Sequence, residues 1–229
     1  MHTPNQGFTD RTDAAVQLVD CLQAYRGCNP LVLAIPRGAV PMGKIIAERL
    51  GGELDIVLVR KLRAPGNLEY AIGAIDEAGN TTMNMEVDAS DIDATSLTVE
   101  QQYQKEVMRK RRSTYMPLRP AINVKGRIVL LLDDGIATGS TMIAALKAVR
   151  LQNPDTLICV TPVAPPESIK AVAPFADAVV CLLTVADFHA VSQFYRDFTA
   201  VDDTEVAAIL QQSTRSVYNV QRDDPEKKL

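Results

Sequence analysis

Two patterns of apolar residues alternate along the chain. Short unbroken apolar runs come first: Leu31 to Ile35, Leu54 to Val59, Arg127 to Leu132, Thr156 to Thr161 and Ala178 to Leu183. Runs that do not alternate with polar residues mark parallel strands covered on both faces. The second pattern has helical spacing. Ala14, Ala15, Leu18, Val19 and Leu22 define a helix from about Asp10 to Tyr25, capped by Asp10 or Thr12 and closed by Gly27 and Pro30. Further helices are predicted over about Val40 to Leu50, Thr141 to Gln152 and Pro166 to Val172, with Gly51-Gly52 ending the first of these. Strand, helix, strand at this spacing is a parallel βαβ unit. Its repetition predicts an α/β fold with a doubly wound, mainly parallel five-stranded sheet flanked by helices.

Two stretches break the rhythm. Arg60 to Asn80 holds Pro65, Gly66, Gly73 and Gly79 without a helical period. It is predicted to be a mobile loop with a short strand at Ala71 to Ile75. Thr98 to Arg112 reads as an inserted helix (about 98–113), and Thr98-Val99-Glu100-Gln101 has the form of a capping box. Its closing run, Arg109-Lys110-Arg111-Arg112, reads as a solvated helix end that complements the macrodipole. A nucleic-acid patch is the competing reading. The polar tail, Arg222 to Leu229, is expected to fray.

Composition narrows the class. Hydrophobic residues make up 47% and charged residues 23%, as in an ordinary globular protein. A formal charge of −4 argues against a general affinity for nucleic acid. Tryptophan is absent and aromatics are 5%, which excludes a broad base-stacking platform. Cys21, Cys28, Cys159 and Cys181 form no CxxC pair, and only His2 and His189 could join them at a zinc site. They read as reduced thiols of a cytoplasmic protein. No apolar stretch is long enough to span a membrane.

The most informative segment is Arg127 to Met142. An apolar strand ends in two adjacent carboxylates, Asp133 and Asp134, and Ala137-Thr138-Gly139-Ser140-Thr141 then leads into a helix. Carboxyl ends of parallel strands open into the ligand crevice of such sheets. Free N–H groups at the helix start attract phosphate. Gly139 admits close backbone approach, and the Thr138, Ser140 and Thr141 hydroxyls donate to phosphate oxygens. The two acids suit sugar hydroxyls. A sugar phosphate is the ligand this chemistry predicts. The loop is neither a Walker sequence nor GxGxxG.

This segment resembles the signature of type I phosphoribosyltransferases, which hold phosphoribosyl pyrophosphate. The resemblance implies that Asp133 and Asp134 bind the ribose 2- and 3-hydroxyls and that Ala137 to Thr141 hold the 5-phosphate. Ile35-Pro36-Arg37-Gly38 falls at the family's pyrophosphate loop, which puts Arg37 and Gly38 at the diphosphate. Arg60-Lys61, followed by Pro65-Gly66, is similar to the mobile loop of adenine phosphoribosyltransferases. The whole pattern resembles a bacterial group of predicted phosphoribosyltransferases whose acceptor is unassigned.

The implied reaction transfers the 5-phosphoribosyl group to a nucleobase or related nitrogen acceptor, with release of pyrophosphate. Magnesium is the implied cofactor, bound through ribose hydroxyls and water near Asp133 and Asp134. Arg60 and Lys61 would stabilise the leaving group. The resemblance also implies a core of about 28–183 and a small hood made by 1–27 and 184–229. Asp187, Phe188 and Tyr195 are the candidate acceptor contacts, and Arg196 matches a family arginine at pyrophosphate. Hypoxanthine-guanine enzymes carry an aspartate where this chain has Ala137, so the general base is unassigned; adenine enzymes carry Ala there too. A homodimer is the common family assembly. The alternative function is a non-catalytic phosphoribosyl pyrophosphate sensor that regulates nucleic acid.

Overall fold

A computed structural model describes residues 7–64, 67–83, 92–116 and 120–222, with 67–71 and 214–222 described by backbone alone. Pro65, Gly66, His2 and the tail beyond Arg222 lie outside the described residues. The unbroken apolar runs form one parallel sheet. Strands β1 (Leu31–Ala34), β2 (Glu53–Ile56), β6 (Ile128–Leu132), β7 (Thr156–Ala164) and β8 (Ala178–Thr184) lie in the order β2-β1-β6-β7-β8.

Side chains alternate across this sheet, and both faces are covered. Val32, Ala34, Leu130, Leu132, Ile158 and Val160 enter one apolar cluster. Leu31, Leu33, Val129, Leu131, Leu157 and Cys159 enter the other. The first cluster is closed by α1 (Arg11–Cys21), α2 (Ala39–Leu50) and α6 (Asp203–Arg222). The second is closed by α4 (Ser140–Arg150) and α5 (Pro166–Val172). Two buried faces require apolar residues at every position, which is why the strands read as continuous runs.

Helix ends follow local chemistry. Asp10 caps α1 by accepting from the Asp13 N–H at 2.8 Å. Gly51 ends α2 in the left-handed conformation. The inserted helix α3 (Ala94–Tyr115) corrects the expected capping box. Its cap is Asp93, which accepts from the Ser96 N–H, while the Thr98 hydroxyl donates to the Ala94 carbonyl inside the helix.

The stretch expected as a loop over 60–80 is an antiparallel ribbon of β3 (Val59–Ala64), β4 (Asn67–Asp76) and β5 (Thr81–Met83). Such a ribbon needs only scattered apolar residues, here Leu62, Ile72 and Ile75, so no apolar run announces it. It lies against α3 and α4.

Phe8, Tyr195 and Phe198 form the apolar heart of the hood, with Phe8–Tyr195 and Tyr195–Phe198 ring centroids 5.4 and 4.9 Å apart. Phe8 N–H donates to the Phe194 carbonyl, and Phe8 O accepts from the Arg196 N–H. Helix α1 buries Ala14, Ala15, Leu18 and Val19 in the cluster that covers the main sheet.

Candidate active site

Strand order locates the crevice. Chain β1–α2–β2 runs outward on one side and β6–α4–β7 on the other, so the order reverses between β1 and β6. Ligands of open α/β sheets bind outside the carboxyl ends of strands at that reversal. The two segments leaving those ends are 35–38 and 133–139.

The acid pair is held tightly. Asp133 N–H donates to the Val160 carbonyl, and Asp134 N–H donates to the Asp133 carboxylate at 2.9 Å. Asp134 receives Arg11 Nε at 2.9 Å and a second guanidinium nitrogen at 2.8 Å. Arg11 also donates to the Thr199 carbonyl at 2.8 Å and stacks 3.9 Å over the Phe198 ring. Burial and the neighbouring Asp134 charge push the Asp133 carboxyl well above the ordinary carboxylate range. Burial also raises Asp134, and the Arg11 guanidinium pulls it back.

Gly38 is required by this packing. A Cβ there would lie 1.9 Å from Asp134 Oδ2. Its φ of −59° is ordinary, so the constraint is close approach and not backbone conformation. The Pro36–Arg37 peptide is cis.

Gly139 caps α4 at φ 79°, a left-handed conformation suited to glycine. The Ala137 carbonyl is fixed by the Ser168 hydroxyl, and the Thr138 and Ser140 hydroxyls lie 3.1 Å apart. Thr138, Ser140 and Thr141 surround the helix start, where the first N–H groups lack intrahelical acceptors.

The basic pair meets this loop. A cleft of about 210 Å³ is lined by Arg60 and Lys61 of β3, by Ser140 and Thr141, and by Lys147 further along α4. Arg60 Nε donates to Gln104 at 3.0 Å, and Gln104 donates to Glu100 at 2.8 Å, which ties the ribbon to α3. Arg37 faces Asp203 of α6 at 3.7 Å, and the Tyr115 hydroxyl donates to the same carboxylate.

The hood candidates fare differently. Tyr195 is buried, and its hydroxyl donates to the Asp134 carbonyl at 2.7 Å. Through that bond it supports the backbone at Asp134. Phe188 is half-buried against Phe194, ring centroids 5.1 Å apart. Asp187 is 84% exposed and pairs with His189 at 3.1 Å. The charge of Arg196 acts on Asp13, after the Thr9 and Gln17 hydrogen bonds that lower that carboxyl.

Two functional residues escaped the sequence reading. Lys147 reads as an ordinary cation in the last turn of a helix. Arg11 carries a usable signal: it is the first residue of α1, where the macrodipole disfavours a cation. A cation at that position implies a specific anionic partner, and Asp134 is that partner.

Among the described residues no cluster of three or more His, Cys, Asp or Glu could hold a metal ion. No helix among the described residues is long and apolar enough to cross a membrane.

A phosphoribosyl transferase domain model matches residues 8–199. The chain belongs to the phosphoribosyltransferase family. The family match spans the sheet, the ribbon and the aromatic hood together. The crystal structure of TT1426 from Thermus thermophilus is 42% identical with a TM-score of 0.80, covering 90% of this chain and 98% of that one. The Mycobacterium tuberculosis protein Rv0571c is 38% identical over 209 residues, 91% of this chain and 47% of its own length. The chain thus spans about half the length of that curated relative. Uracil phosphoribosyltransferase from Acinetobacter baylyi is 29% identical over 157 residues, 68% of this chain and 65% of its own.

Proposed function

We propose that this chain is a magnesium-dependent phosphoribosyltransferase that transfers the 5-phosphoribosyl group from phosphoribosyl pyrophosphate to a nitrogen of a nucleobase or related acceptor. One observation carries the reading. At the reversal of strand order an acid pair ends β6, and the loop after it leads into the phosphate-type start of α4, where Ser140 and Thr141 line one cleft with Arg60 and Lys61. The curated uracil phosphoribosyltransferase relative supports a nucleobase as the acceptor class.

In this reading Ala137 to Thr141 bind the 5-phosphate through backbone N–H groups and hydroxyls. Asp133 and Asp134 hold the ribose hydroxyls, with Tyr195 and Arg11 fixing the position of Asp134. Arg37 and the close-packed backbone at Gly38 face the diphosphate. As the acceptor nitrogen bonds to C1, the C1–oxygen bond breaks and its electron pair leaves with pyrophosphate. Arg60 and Lys61 stabilise the charge that gathers there. Magnesium, when bound, neutralises diphosphate oxygens. Seating the ribbon on α4 keeps water from the sugar cation.

Incubation with phosphoribosyl pyrophosphate, magnesium and a panel of purine and pyrimidine bases tests this. Pyrophosphate release with at least one base is expected. Tight binding of phosphoribosyl pyrophosphate with no turnover across the panel would overturn the transferase reading. The sensor alternative drew on the Arg109–Arg112 run, but Arg112 is turned inward to Asp55 and Glu77.

A further inference from the structure

Four successive cations close α3, and three of them have carboxylate partners. Arg109 donates twice to Glu106 at 2.8 Å, and Lys110 lies 3.8 Å from the same carboxylate. Arg112 is enclosed by Asp55, Glu77 and the Ile56 carbonyl. Arg111 is half-buried, and it has no hydrogen bond or ion pair among the described residues.

Helical spacing explains where Arg111 points. Gln104, Met108, Arg111 and Tyr115 share one face of α3, and the other three are buried. Gln104 receives Arg60, and Tyr115 donates to Asp203, which also faces Arg37. Between those two anchors Arg111 lines a cavity of about 80 Å³ with Ile35, Pro36, Arg60 and Thr141. That cavity lies between the loop after β1, Arg60 of the basic pair and Thr141 at the start of α4. The charges of Arg111 and Arg37 both act on the Tyr115 hydroxyl, which places them in one electrostatic neighbourhood.

A partly buried guanidinium favours an anionic partner. Gln104 and Tyr115, the other polar groups of this face, are both paired, which leaves Arg111 open to a ligand. Arg60 shares the cavity, so the ligand must carry enough negative charge for two guanidinium groups. A diphosphate does; a lone hydroxyl or carbonyl does not.

We propose that Arg111 binds the diphosphate of phosphoribosyl pyrophosphate, entering the site from α3 between the Pro36 loop and Thr141, beside Arg60. The assignment rests on the phosphoribosyltransferase reading above. It makes the inserted helix part of the binding site as well as a support for the ribbon. A planar guanidinium fixed on a helix presents its donors with little further loss of freedom.

Calorimetric titration with two probes, magnesium pyrophosphate and ribose 5-phosphate, tests the proposal on wild type, Arg111→Met, Arg111→Lys and Arg109→Met. Arg111→Met should weaken pyrophosphate binding about tenfold or more, as expected for loss of a charged hydrogen bond. Ribose 5-phosphate, which lacks the diphosphate, should bind all four proteins alike. Arg111→Lys should recover part of the loss, and Arg109→Met should match wild type. Unchanged pyrophosphate binding in Arg111→Met overturns the assignment alone. Equal loss of both probes assigns Arg111 a structural role and also overturns it. Wild type that binds neither probe removes the phosphoribosyl reading itself. Should Arg111→Met not fold, Arg111→Gln replaces it, and failure of both to fold overturns the proposal.

Discussion

Arg11 of the first helix and Asp134 at the end of β6, 123 residues apart, form a two-pronged ion pair at the centre of the crevice. The guanidinium is capped by Phe198 and anchored on the Thr199 carbonyl, so the hood and Asp134 are one unit. Arg11→Ala leaves a largely buried carboxylate without its counterion. It is expected to cost about 2–3 kcal/mol in urea unfolding. Arg11→Lys should keep part of this, because an ammonium cannot reproduce the fork.

Gly38→Ala should separate binding from folding. The added methyl collides with Asp134 Oδ2, while the backbone at φ −59° accepts alanine readily. Far-ultraviolet dichroism should be unchanged. Affinity for phosphoribosyl pyrophosphate should fall at least about tenfold, because displacing an aligned carboxylate removes charge-assisted hydrogen bonds. Wild-type affinity in this variant would show that Asp134 is not a ligand contact.

Gly139→Ala is the contrasting case. Here φ is 79°, and the strain of a left-handed alanine is about 1–2 kcal/mol. Thermal unfolding should register that cost even without ligand. Binding of ribose 5-phosphate should weaken as well.

Tyr195→Phe deletes one hydrogen bond to the Asp134 carbonyl and keeps the ring among Phe8 and Phe198. Expected destabilisation is about 1 kcal/mol. A double-mutant cycle with Arg11→Ala should be non-additive, since both residues fix Asp134. Strict additivity would count against a shared role.

Asp133 predicts a pH signature. Its folded pKa is raised above the ordinary 3.8 by burial and by the Asp134 charge. The folded state therefore holds its proton where the unfolded chain has lost it. The stability this contributes is complete below about 3.8 and is lost as pH rises through the folded value. Asp133→Asn keeps an oxygen for the Asp134 N–H and cannot ionise. Relative to wild type it should gain stability between about pH 4 and about pH 7.5 while losing phosphoribosyl binding. Denaturant titrations at both pH values check the sign.

The sheet and the phosphate loop were legible because their chemistry is contiguous. Leu130, Leu131 and Leu132 face opposite sides in turn, so burial on both sides writes itself as an unbroken run. Asp133 to Thr141 carry acids, glycine and hydroxyls within one loop. Of the ribbon only the Ala71–Ile75 part of β4 was legible, because Arg60, Lys61 and Arg63 interrupt any apolar pattern on β3. Arg111 was also hidden, since what distinguishes it is the packing around it, whereas Arg11 was missed although its place at the start of α1 carries a signal. A helix position shows which face a side chain joins only after the helix has been docked. Thr98 failed as a cap for a related reason: Asp93, earlier in the chain, offered a carboxylate at the true start.

The bridge between Phe8 and Tyr195 has a consequence for the order of events on the ribosome. Domains form as the chain emerges from its amino end. Phe8 and Arg11 are made early, Asp134 much later, and Phe194, Tyr195 and Phe198 last. The acids can reach the end of a folded β6 before the aromatic strand that clasps Phe8 exists. Until then Asp134 lacks the Tyr195 support, and Arg11 lacks its seat on Phe198 and Thr199. The surroundings of Asp134 are therefore completed only by residues 194–199, and a nascent chain stopped within β8 has the acids without the clasp.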